Sequence, residues 1–337
     1  MIREATAKLM NHQDLTQEET CTVIDEMMDG KTTPVQTAAF LTALQCKKAT
    51  VTEILACATS MRNHATPLDA GQGLLEIVGT GGDHSNSFNI STTSSFVCAA
   101  GGCRVAKHGN RAASSRSGAA DVLEALGVHL GAGPEECLRH MNHAGFCFLF
   151  AQTYHKAMKH VGPVRKEMGQ ATVFNLLGPL TNPARADHQV LGVYAAELVE
   201  PMAHVLHGLG VQRGLSVYGT DGFDEISASA PTLVCEFKDH TFTTYTITPE
   251  QFGLTRGTKA ELVGGTPKEN AAITRGILSG QIRGTKRNAV LLNAGAGLYV
   301  AGRTATLADG VALAAALIDS GKALASLDQY VALSQGA

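Results

Sequence analysis

The spacing of apolar and polar positions divides the chain into a helical opening and an alternating body. Thr16-Gln17-Glu18-Glu19 has the form of a capping box, in which the threonine hydroxyl accepts from the amide three residues on and the glutamate reaches back. Val23, Ile24, Met27 and Met28 follow at helical spacing, and Gly30 stands where a helix-closing glycine belongs. Thr33-Pro34 opens a second helix with proline at its first position, and Phe40, Leu41 and Leu44 give it an apolar stripe. Thr50-Val51-Thr52-Glu53 starts a third, through Ile54, Leu55 and Met61. Helices this short bury their stripes against one another or against a partner subunit, and spacing alone does not separate the two.

A turn-rich linker, Pro67 to Gly73, precedes Leu74-Leu75-Glu76-Ile77-Val78, which reads as a strand. From there strands and helices alternate. Arg104–Ala106, Val190–Tyr194, Leu215–Tyr218 and Ala289–Asn293 read as short strands, and Ala119–Leu126 as a helix closed by Gly127. Alternation of this kind predicts βαβ units and a largely parallel sheet. The 337 residues suggest two domains at about 150 residues each.

Composition narrows the classes. Lys and Arg number 27 against 30 Asp and Glu, a formal net charge of −3, which argues against a dedicated nucleic-acid or membrane-surface protein. The eight cysteines include no C-x-x-C pair and lie mostly inside apolar patterns, as reduced thiols do, so a reducing, cytoplasmic compartment is expected. The N-terminus lacks an apolar signal region, and no apolar run is long enough to span a membrane.

Candidate chemistry sits in four segments. Gly79-Thr80-Gly81-Gly82-Asp83 follows a strand, and Asn89-Ile90-Ser91-Thr92 opens an apolar helix. Glycine-turn amides and a hydroxyl-rich helix start suit a phosphate. This is neither a Walker A nor a dinucleotide-fold spacing. Lys107 to Gly118 gathers cations, serines and backbone amides in a loop between a strand and a helix. It suits a polyphosphate, or equally is a solvated basic loop with Ser117 as a helix cap. Arg165 is a planar donor suited to a carboxylate, followed by the Pro/Gly-punctuated stretch Phe174 to Pro183. Asp224-Glu225 after a strand suits a hard cation such as Mg²⁺. His140-x-x-His143 and His204-x-x-His207 have no Cys or Glu to complete a zinc set.

Together these motifs, with Lys107-His108-Gly109-Asn110-Arg111 and Asn175-Leu176-Leu177-Gly178-Pro179-Leu180-Thr181-Asn182-Pro183, resemble the anthranilate phosphoribosyltransferase family in order and spacing from about residue 15 to 335. The resemblance implies a small all-helical domain over 1–70, joined by about 165–185 as a hinge, beside a larger α/β domain over 71–337. It implies a homodimer through the helical domain. It also implies transfer of the phosphoribosyl group of phosphoribosyl pyrophosphate (PRPP) to the amine of anthranilate, a step of tryptophan biosynthesis, with two Mg²⁺ ions. By resemblance, PRPP would be held by Gly79, Gly82, Asp83, Ser87, Asn89, Ile90, Ser91, Thr92, Lys107, His108, Gly109, Asn110, Arg111, Ala112, Ala113, Ser114, Ser115 and Ala119. Gly79, His108, Asn110, His155, Arg165 and Pro179 would surround anthranilate, and Ser91, Asp224 and Glu225 would hold Mg²⁺. Lys107 and Arg165 would carry the catalytic positioning.

Three positions depart from the family pattern: His84 where glycine is frequent, Ser87 where threonine is usual, and Ala119 where serine is common. Each bears on PRPP affinity and none removes a metal or anthranilate contact. Pyrimidine nucleoside phosphorylases of the same architecture read Lys-Met-Ser-Gly-Arg where this chain reads Lys107-His108-Gly109-Asn110-Arg111, which argues against phosphorolysis. A nucleic-acid-binding relative of the fold would need a basic groove, against the net charge.

Overall fold

The computed structural model describes residues 1–112 and 115–336. Four helices open the chain: α1 (Ile2–Met10), α2 (Gln17–Met28), α3 (Pro34–Lys47) and α4 (Val51–Asn63). The last three begin where spacing predicts. Thr16, Thr33 and Thr50 each accept from the third amide of their helix, and Glu19, Gln36 and Glu53 return the bond. α1 adds a helix that the spacing argument does not name, with Ile2, Ala5 and Leu9 buried on one face.

The body runs β1 (Leu74–Gly79), α5 (Ile90–Ala100), β2 (Arg104–Gly109), α6 (Ala119–Ala125), α7 (Pro134–Ala144), β3 (Phe146–Phe150), α8 (Ala151–Tyr154), α9 (Met158–Met168), α10 (Phe174–Leu177) and β4 (His188–Gly192). It continues through α11 (Val199–Gly208), β5 (Arg213–Gly219), β6 (Thr232–Lys238), β7 (Thr241–Ile247), α12 (Pro267–Leu278), α13 (Thr285–Val300), α14 (Leu307–Asp319) and α15 (Lys322–Ser334). The sheet order is β3-β2-β1-β4-β5-β6-β7. The pairs from β3 to β5 are parallel, and β6 and β7 extend the sheet as an antiparallel hairpin. No single helix among the described residues is long and apolar enough to cross a membrane.

One expected strand is corrected. Ala289–Asn293 lies inside α13, which packs on α5 and α14 and reaches β1. Every residue from Ala289 to Leu298 is buried. A helix apolar all round has no amphipathic period, so a short apolar run within it looks like a buried strand.

The sheet separates two cores. Val190 of β4 faces the layer of α5, α13, α14 and α15, while its neighbour Leu191 faces α11 and the helical opening, as a period of two requires. Val161, Phe174, Leu177 and Leu180 join the second core. β2 lies on one side of β1 and β4 on the other, so the chain reverses direction across the sheet at β1. Ligand crevices form at the carboxyl ends of strands at such a reversal. Gly79 and Gly192, the last residues of β1 and β4, are in register there.

Candidate active site

The carboxyl ends of β1 and β4 are bare because Asp224 occupies the space above them. A Cβ on Gly79 would lie 2.1 Å from Asp224 Oδ2, and one on Gly192 would lie 1.6 Å from the Asp224 carbonyl oxygen. Gly81 and Gly82 take φ of +69° and +78°, the left-handed turn that glycine adopts freely. The Gly81 amide donates to Asp224 Oδ2 at 2.7 Å. Asp83 accepts from the Ser85 amide through Oδ1, while its buried Oδ2 has no partner. Ser87 donates its amide to Ser85 Oγ and bridges to Val263.

Helix α5 starts beside this turn. The Ser91 amide donates to Glu225 Oε1 at 3.2 Å, and Ser91 Oγ accepts from Lys107 Nζ at 3.3 Å. Lys107 is buried and also donates to the Ile77 carbonyl at 2.8 Å. Burial lowers this ammonium to about 8, against the pull of Glu76 and Glu225, so it stays largely charged at pH 7. Burial lifts Glu225 to about 7, against Lys107. Asp224 is pushed well above the carboxylate range, by burial first and then by Asp83 and Glu225. Thr92 and Ile90 are buried, and Ile90 belongs to the core, so its side chain packs rather than binds.

Three carboxyls crowded beside the one ammonium of Lys107, with Asp83 Oδ2 unpartnered, fit a hard divalent cation. Among the described residues no three His, Cys, Asp or Glu side chains form a ready cage, so ligand oxygens would have to complete the shell. The acids themselves are held firmly. Asn293 of α13 accepts from the Ile226 amide and donates to the Ile226 carbonyl, and Asp221 accepts from the Ser227 and Ser229 hydroxyls.

The loop after β2 runs close by. Asn89 Nδ2 donates to the Ser117 carbonyl at 3.0 Å, and its Oδ1 accepts from Ser117 Oγ at 3.2 Å. Gly109 packs 3.0 Å from Ala119 Cβ, measured from where its own Cβ would stand. Asn110 Oδ1 accepts from the Arg111 amide, the Ala112 amide donates to Asp121, and Ser115 Oγ lies 3.4 Å from the Ser117 carbonyl. Arg111 is not brought to the acids. It is exposed and paired with Glu124 and Asp121, which raise its pKa. Ala113 and Ser114 lie outside the described residues.

A second group of residues gathers around Gly178-Pro179-Leu180. His108 Nδ1 lies 3.2 Å from the Gly178 carbonyl, and its ring is 5.0 Å from that of His155. Burial, then His155, lowers His108 to about 3, so it is a neutral imidazole. The Nε2 atoms of both rings are buried and unpartnered. Gln189 donates to the Pro179 carbonyl and Arg62 to that of Leu180, fixing this wall. Arg165 lies on α9 with its guanidinium 5.0 Å over the Phe174 ring, and burial alone lowers its pKa. No hydrogen bond joins it to the histidines among the described residues.

Several contributors escape sequence reasoning. Glu76 is fully buried on β1 and accepts from the His108 amide at 3.0 Å. Its only sequence signal is a lone acid in an apolar strand. Arg62, Asp121, Asn270 and Asn293 gave no signal. The His-x-x-His pairs are structural: His140 meets Tyr330 edge-on and His204 stacks on Phe242.

Known proteins share this arrangement end to end. Residues 3–65 match the "Glycosyl transferase family, helical bundle domain", and residues 71–324 match the "Glycosyl transferase family, a/b domain". The anthranilate phosphoribosyltransferase of Methanobrevibacter smithii is 54% identical over 331 residues, covering 98% of each chain. That of Lacticaseibacillus casei is 54% identical over 334 residues, covering 99% of this chain and 98% of its own. The crystal structure of the Thermus thermophilus enzyme superposes with a TM-score of 0.93 at 48% identity, covering 98% of this chain and 99% of that one. The Saccharomyces cerevisiae enzyme in complex with PRPP and Mg superposes at 0.91 with 28% identity, covering 100% and 98%. Through both domain matches and relatives similar along its whole length, the chain belongs to the glycosyl transferase family and, within it, to the anthranilate phosphoribosyltransferases.

Proposed function

We propose that this protein transfers the phosphoribosyl group of PRPP to the amine of anthranilate, giving N-(5-phosphoribosyl)anthranilate and pyrophosphate. One observation carries the assignment. A glycine turn, a buried ammonium and paired carboxyls share one hydrogen-bond network at the strand reversal, in a chain about half identical, end to end, to proteins with that activity. The yeast complexes with PRPP and Mg and with 4-fluoroanthranilate support the ligand assignment.

In this proposal the amides at Gly79–Asp83 and the start of α5 take the phosphates. Lys107 keeps its positive charge beside the departing pyrophosphate, where low solvent access makes it effective. Asp224, Glu225 and Ser91 would hold Mg²⁺, two ions with PRPP, and the metal would supply positive charge to offset that of the pyrophosphate oxygens. Arg165 orients the anthranilate carboxylate, while neutral His108, His155 and Pro179 wall its ring. The aromatic amine is uncharged at pH 7, so attack at C1′ rests on positioning and needs no strong base.

The segment from about 165 to 185 is proposed as part of the helical unit of residues 1–70 and as its hinge to 71–337. The packing of Phe174, Leu177 and Leu180 into the helical core supports this. A homodimer through the helical unit is supported by exposed Met10 and Val35. Eight free thiols, six of them buried, support a reducing cytoplasmic location.

Loss of anthranilate fluorescence tests the proposal. The expected result is loss that requires both PRPP and Mg²⁺, with pyrophosphate released. A folded protein that binds PRPP and leaves anthranilate unchanged would overturn it.

A further inference from the structure

Strands β1 and β2 separate before they reach the site. They pair as Leu74 with Arg104 and Leu75 with Val105, and the ladder stops there. β1 nevertheless runs on to Gly79 against β4, and β2 runs on to Gly109 against β3. Two residues further in the same register, Ile77 would stand opposite Lys107, and its carbonyl would accept from the His108 amide, the slanted bond of a parallel pair. Both groups are engaged otherwise. The His108 amide donates to Glu76 Oε1 at 3.0 Å, and the Ile77 carbonyl accepts from Lys107 Nζ at 2.8 Å. Asn182, from the loop before β4, enters the same split and donates through Nδ2 to the Ala106 carbonyl at 2.8 Å. All three side chains are buried.

Glu76 is the one polar side chain of β1. It is fully buried, and its Oε2 has no hydrogen-bond partner. Burial pushes the carboxyl up to about 7, against the opposing effects of Asn182, the His108 amide and Lys107. A buried carboxyl with an unpartnered oxygen weakens the fold, and an apolar side chain of the same length would remove that penalty. What the carboxyl does achieve is to take the His108 N–H out of the ladder. The Ile77 carbonyl is thereby left to Lys107, whose ammonium reaches Ser91 Oγ from the same position.

We propose that Glu76 is a positioning residue for Lys107: by occupying the His108 amide it stops β1 and β2 from pairing one step further and leaves the Ile77 carbonyl as the anchor of the Lys107 ammonium. This rests on the transferase assignment above, in which Lys107 stands beside the departing pyrophosphate. Without the carboxyl, the His108 amide and the Ile77 carbonyl are free to close on each other, and Nζ loses the shorter of its two hydrogen bonds. A charge moved by about 1 Å from its working place costs on the order of a hundredfold in rate.

Steady-state kinetics in two backgrounds test this. Glu76→Met, similar in length and without an acceptor for the amide, should lower kcat by about thirtyfold to a hundredfold. Its melting temperature without ligand should equal or exceed that of wild type, because the buried carboxyl is gone. Glu76→Gln keeps an oxygen for the His108 amide and should hold kcat within about fivefold of wild type. In a Lys107→Met background, adding Glu76→Met should lower the residual kcat by less than about threefold, because the ammonium it acts through is absent. A wild-type kcat in Glu76→Met would overturn the proposal. So would a Glu76→Gln variant as impaired as Glu76→Met, or an equal loss in both backgrounds, which marks a merely structural carboxyl. Should Glu76→Met not fold, Glu76→Asp, one methylene too short for the His108 amide, takes its place in both backgrounds. Should Lys107→Met have no measurable rate, the comparison with Glu76→Gln decides. Wild-type protein that never consumes anthranilate would instead refute the transferase assignment, which keeps the two failures distinct.

Discussion

Lys107 is an ammonium placed where only carboxylates and ligand phosphates can offset it, and Arg165 is a guanidinium with no carboxylate within salt-bridge reach among the described residues. The proposed function gives the two charges different ligands. Arg165→Ala should raise the KM for anthranilate on the order of tenfold to a hundredfold, the worth of a charged hydrogen-bonded pair, with the PRPP KM little changed. Arg165→Lys should recover little, since an ammonium does not reproduce the planar fork. Equal shifts in both constants would remove Arg165 from the anthranilate side. Asp224 carries the opposite problem, a carboxyl crowded by Asp83 and Glu225. Asp224→Asn keeps an oxygen for the Gly81 amide and removes the cost of burying an ionisable carboxyl beside two others. The ligand-free variant should be more stable than wild type by about 1 kcal/mol, as relief of active-site strain commonly is. Its Mg²⁺-dependent rate should fall at least about a hundredfold, because metal charge stabilisation is worth several kcal/mol. Thermal melts without ligand check the first half, and a less stable variant would show that the buried, crowded Asp224 carboxyl does not strain the ligand-free protein. Asp224 and Glu225 were legible because charged residues in glycine-punctuated loops after strands have few structural uses, and Lys107, expected at the start of such a loop, proves to lie near the end of β2 itself. Glu76 and Asn270 were not legible, because their partners lie 32 and 181 residues away along the chain and no local spacing encodes them.

At the scale of elements, threonine-led capping boxes and proline at the first helical turn located α2, α3 and α4, because these signals are local hydrogen-bond chemistry. α13 misled for the converse reason. Asn293, Gly295 and Gly297 break the apolar run from Ala289 to Ala301, yet each serves a contact made by a helix. Asn293 grips Ile226 beside the acids, and the two glycines admit Val311 and Ile77. The crossing of α13 and α14 is closest at Gly295 and Gly310, where a Cβ on Gly310 would lie 2.3 Å from the Gly295 carbonyl oxygen. In an ordinary helix interior glycine to alanine gains up to about 1 kcal/mol. Here the added methyl meets backbone that cannot yield without separating the helices, and overpacking of this kind costs about 1–3 kcal/mol. Gly310→Ala should therefore destabilise the protein by about 1–2 kcal/mol, the packing cost outweighing the propensity gain. A chemical denaturation midpoint at or above that of wild type would refute so close a crossing. Because α13 also carries Asn293, the same variant should lower activity more than its lost stability accounts for.

The whole molecule was legible in its class and only partly in its outline. Alternation of strand and helix signals gave most of the parallel body, but β3, β6 and β7 were missed. β7 carries threonine at most positions and is exposed along much of its length, so it lacks the apolar alternation of a core strand. The joining of residues near 161–180 to the opening helices is likewise a tertiary fact, carried by Val161, Phe174, Leu177 and Leu180 entering a core otherwise built from residues before 62, from α11 and from the sheet face that carries Leu191, Cys235 and Phe237. The helical opening presents most of the large exposed apolar side chains: Met1, Met10 at 71% and Val35 at 78% exposure, with Val263 the one elsewhere among the described residues. Single exposed apolar residues are ordinary, but α1 and α3 pack on each other, so Met10 and Val35 belong to one small unit. The proposed homodimer through the helical unit would cover them, since a two-fold interface uses the same surface of both subunits. Wild-type protein should therefore sediment at twice the 35.2 kDa chain mass. The double variant Met10→Glu, Val35→Glu should sediment at the single-chain mass, because charges brought face to face across the two-fold axis repel and lose hydration. A wild type of single-chain mass would eliminate the dimer, and a variant that stays dimeric would move the interface elsewhere. Every residue assigned here to PRPP, metal and anthranilate comes from one chain. The monomeric variant should therefore retain a wild-type KM for both substrates, so any loss of rate would measure what the partner contributes to domain closure rather than to binding.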